Sequence, residues 1–381
     1  MDYDIDISAA MMGNPEAGLP QESPHGAGTD PVLEHDSAPP GREGKGLMAR
    51  TRRADPRGIT LADIARAAGV SKITVSRVLR GGPVAGETRD RVLEIVRRLG
   101  YVPNRLAGTL SSAGSNLVGV IIPSLANIVF PDVLRGAEAV LDAAGFRSVV
   151  GVTDYDPARE EGLIEAMLAW RPAGLIVTGL EHTDRSRAML THAGIRVAEL
   201  MDLDGAGLDI VVGLSNRAAG RASARHLIER GYRRLAYVGH DLGQDRRAAK
   251  RFEGFREALS ESAAALVATE LMPGRSSAAA GREGLARILD RDGGVDAVYF
   301  SNDDMAMGGC FLCLARGIAV PDRVALFGFN GLDLAQALPQ PLSTIRSPRV
   351  RMGEVGARLV CGREPATVVD LGFELVPGAT A

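Results

Sequence analysis

At 381 residues, 45% hydrophobic and with a net charge of −3, the chain has room for two or three domains with their own cores. It contains no run of eighteen uncharged apolar residues, so no transmembrane helix is expected. Three late cysteines, Cys310, Cys313 and Cys361, argue against a disulfide framework and fit reduced thiols. The small net charge conceals an uneven distribution: nine acids and two bases in residues 1–48, thirteen bases and five acids in 49–110, and 29 bases against 33 acids beyond. A small basic module joined to a mildly acidic body is the footprint of a polyanion binder, although a solvated basic face would give the same counts.

In chain order, residues 1–48 are rich in Gly, Pro, Ala and acids without any period, and residues 1–57 are expected to be a disordered extension. The acidic start lacks a charged segment followed by an apolar core, so no signal peptide is expected. Met48, followed by ARTRR, is a second candidate start of translation. From residue 58 a helical period sets in. Thr60 stands as N-cap with Asp63 at the capping-box position, Leu61, Ile64, Ala65 and Ala68 form an apolar stripe, and Gly69 stops the helix. Ser71 caps a second helix that turns Val75, Val78 and Leu79 inward. A third runs from about Glu87 to Leu99, with Val92, Val96 and Leu99 inward and Gly100 at its stop.

Two helices separated only by AAGVS form a helix-turn-helix. Holding the pair together consumes its apolar positions and leaves Ser71, Lys72, Ile73, Thr74, Ser76 and Arg77 exposed. Small side chains let such a helix sink into the DNA major groove, where Lys72, Ile73 and Arg77 reach base edges. Ser71, Thr74 and Ser76 suit phosphate oxygens. The alternative is an ordinary helical hairpin with a polar face, which leaves the basic excess around it unexplained.

After Ser115 apolar, β-rich runs alternate with amphipathic stretches: LVGVII (117–122), RSVVGV (147–152), AGLIVT (173–178), IRVAEL (195–200), LDIVVG (208–213), RRLAYVG (233–239), VDAVYFS (295–301) and VALFGF (324–329). This alternation predicts parallel sheets with helices on both faces. About ten such units exceed one sheet, so two doubly wound subdomains are expected, with a ligand between them at the carboxyl ends of the strands. The CxxC of Cys310 and Cys313 falls in the helical run DMAMGGCFLCLARG without a second ligand pair, and reads as packing rather than as a redox or zinc site.

ITLADIARAAGVSKITVSRVL, then YVPNRLAGTL, then a two-lobed α/β body: over residues 58–381 the chain resembles the lactose-repressor family of bacterial transcription regulators. Within it the chain is most similar to the gluconate-operon repressors, through IIPSLANIVFPDVLRG (121–136), VAELMD with LDIVVG (197–213), SNDDMAMG (301–308) and VVDLGFELVPG (368–378). The resemblance implies an all-α helix-turn-helix DNA-binding head on residues 58–102. A hinge helix and linker follow on 103–116, then an α/β, periplasmic-binding-protein-like effector domain of two doubly wound parallel sheets on 117–381. The first lobe is expected at about 117–215 and 345–362, the second at about 216–344 and 363–381. It implies a cytoplasmic homodimer on a palindromic operator. Thr60 and Leu61 join the DNA contacts, Leu110 is an apolar wedge in the minor groove, and Asn104, Arg105 and Ala107 line that contact. Gly108 weakens so short a hinge helix, which is expected to fold only on the operator. The chain ends at ELVPGATA without a heptad repeat, which favours a dimer over a tetramer.

Matched residue by residue, the resemblance places an effector site on Ser124, Asn127 and Phe130 of one lobe. Facing them it places Glu199, Asp202, Arg251, Asn302, Asp303 and Asn330. Planar polar side chains and an aromatic platform suit a sugar, and the Arg251 guanidinium in KRFEGF suits the carboxylate of an open-chain sugar acid, gluconate first among them. Ser124 and Asn127 could instead be turn residues, Asp303 a helix cap and Arg251 a surface group. Asn330 stands where many members carry Asp, which leaves Asp333 as a rival. Another sugar, aldonate or phosphorylated sugar acid is the alternative effector.

Two other classes fit less well. An exported sugar-binding protein shares the body but carries no basic helix-turn-helix. An α/β enzyme is disfavoured because GxGxxG after the first strand, GxxxxGK[ST], GxSxG and HExxH are all lacking. His182, His192, His226 and His240 are scattered without metal spacing, so no enzyme activity, cofactor or metal is expected.

Overall fold

The computed structural model describes residues 59–102 and 115–381. The N-terminal extension and most of the hinge segment, with Asn104, Arg105, Ala107, Gly108 and Leu110, lie outside the described residues.

The head consists of α1 (Leu61–Ala68), α2 (Lys72–Leu79) and α3 (Gly86–Leu99). At the start of α1 the Asp63 carboxylate accepts from the Thr60 backbone N–H at 3.0 Å and from its hydroxyl at 2.6 Å. Gly69 takes the left-handed conformation (φ 66°) that ends α1, a backbone that an L side chain adopts at a cost. Ser71 Oγ accepts from Thr74 N at 3.1 Å and so caps α2. Ile64, Ala65, Ala68, Val75, Val78, Val92 and Ile95 form the small core. On α3 the seam differs from expectation: Ile95 is buried with Val92, while Val96 and Leu99 are only partly covered.

The first lobe begins with β1 (Leu117–Ile122), α4 (Val129–Ala143), β2 (Arg147–Val152), α5 (Pro157–Ala169), β3 (Gly174–Thr178), α6 (Asp184–His192), β4 (Arg196–Leu200) and β5 (Ile210–Gly213). The second is α7 (Asn216–Glu229), β6 (Arg234–Gly239), α8 (Arg246–Ser260), β7 (Ala265–Leu271), α9 (Ala278–Arg291), β8 (Ala297–Phe300), α10 (Asp303–Arg316), β9 (Ala325–Asn330), α11 (Asp333–Gln336) and β10 (Ser343–Arg346). The chain returns to the first lobe with α12 (Arg349–Cys361) and β11 (Thr367–Asp370) and ends in the second with β12 (Glu374–Val376).

The two sheets repeat one plan. Their orders, β2-β1-β3-β4-β5-β11 and β7-β6-β8-β9-β10-β12, are the same doubly wound arrangement with one late strand added at the same edge. All pairings are parallel except β10 with β12. Helices cover both faces of each sheet, so the central strands bury both sides and read as apolar runs. The expected lobe boundaries shift in two places. β10 pairs with β9, so residues 345 and 346 belong to the second lobe; β11 pairs with β5, so residues 367–370 belong to the first. Strand pairing settles both, and neither short strand carries a marker of its lobe. Cys310 and Cys313 are buried on α10 in the second lobe's core.

Packing also fixes where α8 stands. Gly220 of α7 and Gly254 of α8 let the two helices touch backbone to backbone: a Cβ at either would run into the carbonyl of Arg251 or Arg217. The first turns of α8 are thereby held against the start of α7, where the lobes meet.

Candidate nucleic-acid interface and ligand cleft

On the head, α2 presents a shallow concavity lined by Leu61, Lys72, Ile73, Ser76, Arg77 and Arg80. Lys72 and Arg77 are exposed, and Ile73 is 70% exposed, leaving its apolar surface free for a thymine methyl. Thr60 is exposed and Leu61 half-buried at the rim. Ser71 and Thr74 share a 2.9 Å hydroxyl contact at the start of α2, so their first duty is capping. Ser76 Oγ accepts from Arg80 Nη2 at 2.6 Å. Arg80 was not singled out in the sequence, although it stands four residues from Ser76 on the same face.

In the body, the carboxyl ends of β1, β2, β6, β7, β8 and β9 converge on a cleft between the lobes, where doubly wound sheets place ligands. An outer cavity of about 240 Å³ is lined by Ser124, Asn127, Tyr155, His240, Asp245 and Arg275, among others. An inner cavity of about 30 Å³ is lined by Asn127, Phe130, Arg247, Arg251, Asn302, Phe329 and Asn330, among others. The inner space holds only about two waters, so a hexose-sized ligand there requires the lobes to part.

Six of the nine expected effector residues therefore line the cleft: Ser124, Asn127, Phe130, Arg251, Asn302 and Asn330. Ser124 Oγ also accepts from Ala126 N and Asn127 N, and Asn302 Oδ1 caps α10 through Met305 N at 3.1 Å. Asn330 adopts φ 127°, and its carbonyl accepts from Arg349, which also pairs with Asp132 at 2.9 Å. Asp333 is exposed on α11.

The remaining three are buried behind the cleft. Asp303 accepts from Leu332 N at 2.8 Å and Thr344 Oγ1 at 2.7 Å. Burial outweighs those bonds and pushes its carboxyl up to about 6. Asp202 accepts from Lys250 and from Asn216 Nδ2. Glu199 accepts from Leu208 N and lies 3.3 Å from His182 Nε2. Burial alone would depress His182, but its hydrogen bond to Glu160, the nearby Glu199 carboxylate and the charges of both raise it to about 9.

Arg251 is locked from several sides. Its Nη1 donates to Asn216 Oδ1 at 2.8 Å, its Nη2 to the Ser301 carbonyl at 3.2 Å, and the guanidinium lies 4.0 Å from the Phe329 ring centroid. Asn216 is itself held by Asp202, and Asp202 by Lys250, so one polar chain runs from the interlobe surface to the cleft. Lys250 also pairs with Glu181, and Arg275 with Asp154 at 2.6 Å. Both pairs join the second lobe to the first.

Tyr155, His240, Asp245, Arg247 and Arg275 escaped the reading of the sequence. Arg247 carried the one available signal, since it stands four residues before Arg251 on one helix face. Asp154 and Tyr155 have φ of 56° and 63°, a strained pair of the kind that clusters at ligand sites. No periodicity reveals them.

A basic helix-turn-helix joined to a two-lobed body with a polar interlobe cleft defines a DNA-binding protein with a site for a small ligand. Residues 60–104 match the description "Bacterial regulatory proteins, lacI family" and residues 224–380 match "Periplasmic binding protein-like domain". The chain is 43% identical over 325 residues to the HTH-type transcriptional regulator GntR of Pseudomonas aeruginosa, covering 83% of this chain and 94% of the relative. It is 40% identical over 327 residues to the regulator of that name from Escherichia coli K12, covering 84% and 98%. A lacI-family transcriptional regulator from Silicibacter pomeroyi superposes with a TM-score of 0.81 at 45% identity, covering 84% and 99%. The chain belongs to the lacI family and is a DNA-binding transcription regulator. Among the described residues no helix is long and apolar enough to cross a membrane.

Proposed function

We propose that this regulator is a homodimeric repressor of sugar-acid utilisation genes, released from a palindromic operator by an open-chain aldonate, gluconate in the first place. The observation that carries the reading is the pair of guanidinium groups, Arg247 and Arg251, beside the aromatic rings Phe130 and Phe329 in the inner cleft. Cations on aromatic faces suit a carboxylate at one end of a polyol chain, and Asn127, Asn302 and Asn330 supply paired donors and acceptors for hydroxyls. The outer cavity is lined by Asp241, Asp245 and Asp304, and its Arg275 is already paired with Asp154. That charge balance favours a monoanion over a phosphorylated sugar acid.

Ligand binding changes the angle between the lobes and lowers operator affinity; by linkage the operator weakens ligand binding by the same factor. The test is operator binding by fluorescence anisotropy, titrated with gluconate, glucose and 6-phosphogluconate. Gluconate releases the DNA, and glucose, lacking the carboxylate, does so poorly. In a thermal-shift assay gluconate at ~100 times its dissociation constant adds roughly 2.7 kcal/mol of apparent stability. Release by 6-phosphogluconate alone overturns the choice of effector.

A further inference from the structure

The two cleft arginines are not equivalent. Arg251 has both terminal nitrogens committed to protein acceptors, and its remaining Nε is sealed from solvent. A ligand carboxylate can reach there only the N–H groups that these two acceptors leave over, and the Nε side of the fork is closed to it. Arg247 sits one turn earlier on α8, with 9% of its surface exposed, and no protein acceptor lies within hydrogen-bond distance of it among the described residues. The one carboxylate oxygen within 4 Å, Asp245 Oδ1 at 3.7 Å, already accepts from Ala248 N at 3.1 Å as the cap of α8. The other Asp245 oxygen lies 3.4 Å from His240 Nε2.

Arg247 also reaches across the cleft. Its guanidinium carbon lies 5.6 Å from the Phe130 ring centroid, and Nη1 stands over the backbone of Gly179, where a Cβ would come within 3.2 Å. Phe130 and Gly179 belong to the first lobe, α8 to the second.

We propose that Arg247 is the residue that recognises the effector's carboxylate, by a bidentate fork, and that Arg251 is a positioning residue for the polyol chain. The assignment rests on the aldonate reading above. Asp245 at 3.7 Å balances the charge of Arg247 but leaves its N–H groups without a hydrogen-bond acceptor, and a carboxylate supplies what they lack. Because the fork leans on the first lobe while rooted in the second, the bound carboxylate ties the two lobes together.

The test is calorimetric titration of the full chain with gluconate and with gluconamide, which replaces the carboxylate by a neutral amide at the same carbon. Wild-type protein is expected to prefer gluconate by roughly 10–100-fold, the range of a charge-assisted pair of hydrogen bonds. In Arg247→Gln the preference collapses to about threefold or less on the same scale. Arg247→Lys keeps the charge without the fork and retains part of the preference. Arg251→Gln weakens both ligands alike and keeps their ratio. Arg246→Gln removes an exposed charge one residue away and also keeps the ratio, which rules out a general effect of net charge. Circular-dichroism melting verifies that each variant is folded, and if Arg251→Gln does not fold, the other variants decide the matter without it. An unchanged ratio in Arg247→Gln, or an equal loss in Arg246→Gln, overturns the role of Arg247 while leaving the aldonate reading intact. Wild-type protein that binds neither compound overturns the aldonate reading, and this assignment falls with it.

Discussion

The reading face of α2 and the interlobe cleft both bind by charge and hydrogen bonding, yet they are built in opposite ways. On α2 the cations and Ile73 stand in water, supported by a core of seven buried side chains. Among the described residues no side chain pairs with Lys72 or Arg77. Behind the cleft the polar groups are buried and hold one another, so that Arg251 depends on Asn216, Asp202 and Lys250 in turn. An exposed face tolerates substitution and loses only its ligand. A buried network loses fold and ligand together.

That contrast can be broken most severely at Arg251. Arg251→Ala leaves Asn216 Oδ1 and the Ser301 carbonyl without their donor, and the expected cost is about 2–4 kcal/mol of stability. Urea unfolding measures it, and a loss below about 0.5 kcal/mol would put Arg251 in the class of surface residues.

A pH series sharpens the same contrast. His182 is held at about 9, above its ordinary 6.5, by Glu160 and Glu199. Between those values the native state binds more protons than the unfolded chain. Its contribution is therefore complete below pH 6.5 and is lost as pH rises through 9, by up to about 3 kcal/mol. Melting temperature is expected to fall over that window, and His182→Gln to flatten the fall. An equally steep fall in the variant assigns it to other groups.

On the exposed side, Arg77→Ala is expected to cost about 1–3 kcal/mol on the operator, little on random DNA and almost nothing in melting temperature. Equal losses on both DNAs would make Arg77 a phosphate contact. Arg80→Ala is the mildest change. If the Ser76–Arg80 pair faces phosphate, binding weakens a few-fold on any sequence and the salt slope falls by about one. A sequence-dependent loss places Arg80 on a base edge instead.

The head was legible because its signals are contiguous. Thr60, Asp63, Gly69 and Ser71 act on neighbours within four residues, so caps, stop and reading face lie on one short stretch. The choice of Ile95 over Val96 and Leu99 on α3, and the place of Arg80 beside Ser76, needed the packed structure. Among the twelve strands of the described residues eight announced themselves as apolar runs, seven because helices bury both of their faces and the half-covered edge strand β2 through Val149, Val150 and Val152. β7 stayed hidden because it lies at a sheet edge, half-covered and carrying Thr269 and Glu270. β10, β11 and β12 stayed hidden because they are short and carry polar or exposed positions, unlike the equally short but fully buried β5 and β8.

By itself the amino-acid sequence determined the helix-turn-helix, the α/β character of the body and, through the lacI-family resemblance, a set of residues at or behind the interlobe cleft. Only the tertiary structure decided which of them face it. Asp202 and Asp303 are spent on the supporting network, and Glu199 is buried beside His182. Arg247 and Tyr155 enter the cleft because six strand ends, spread from residue 122 to residue 330, converge there. Whether a guanidinium is free or committed depends on which acceptors the fold brings beside it. For Arg251 those are Asn216 and Ser301, 35 and 50 residues away, and no local pattern of residues encodes a contact made across that distance.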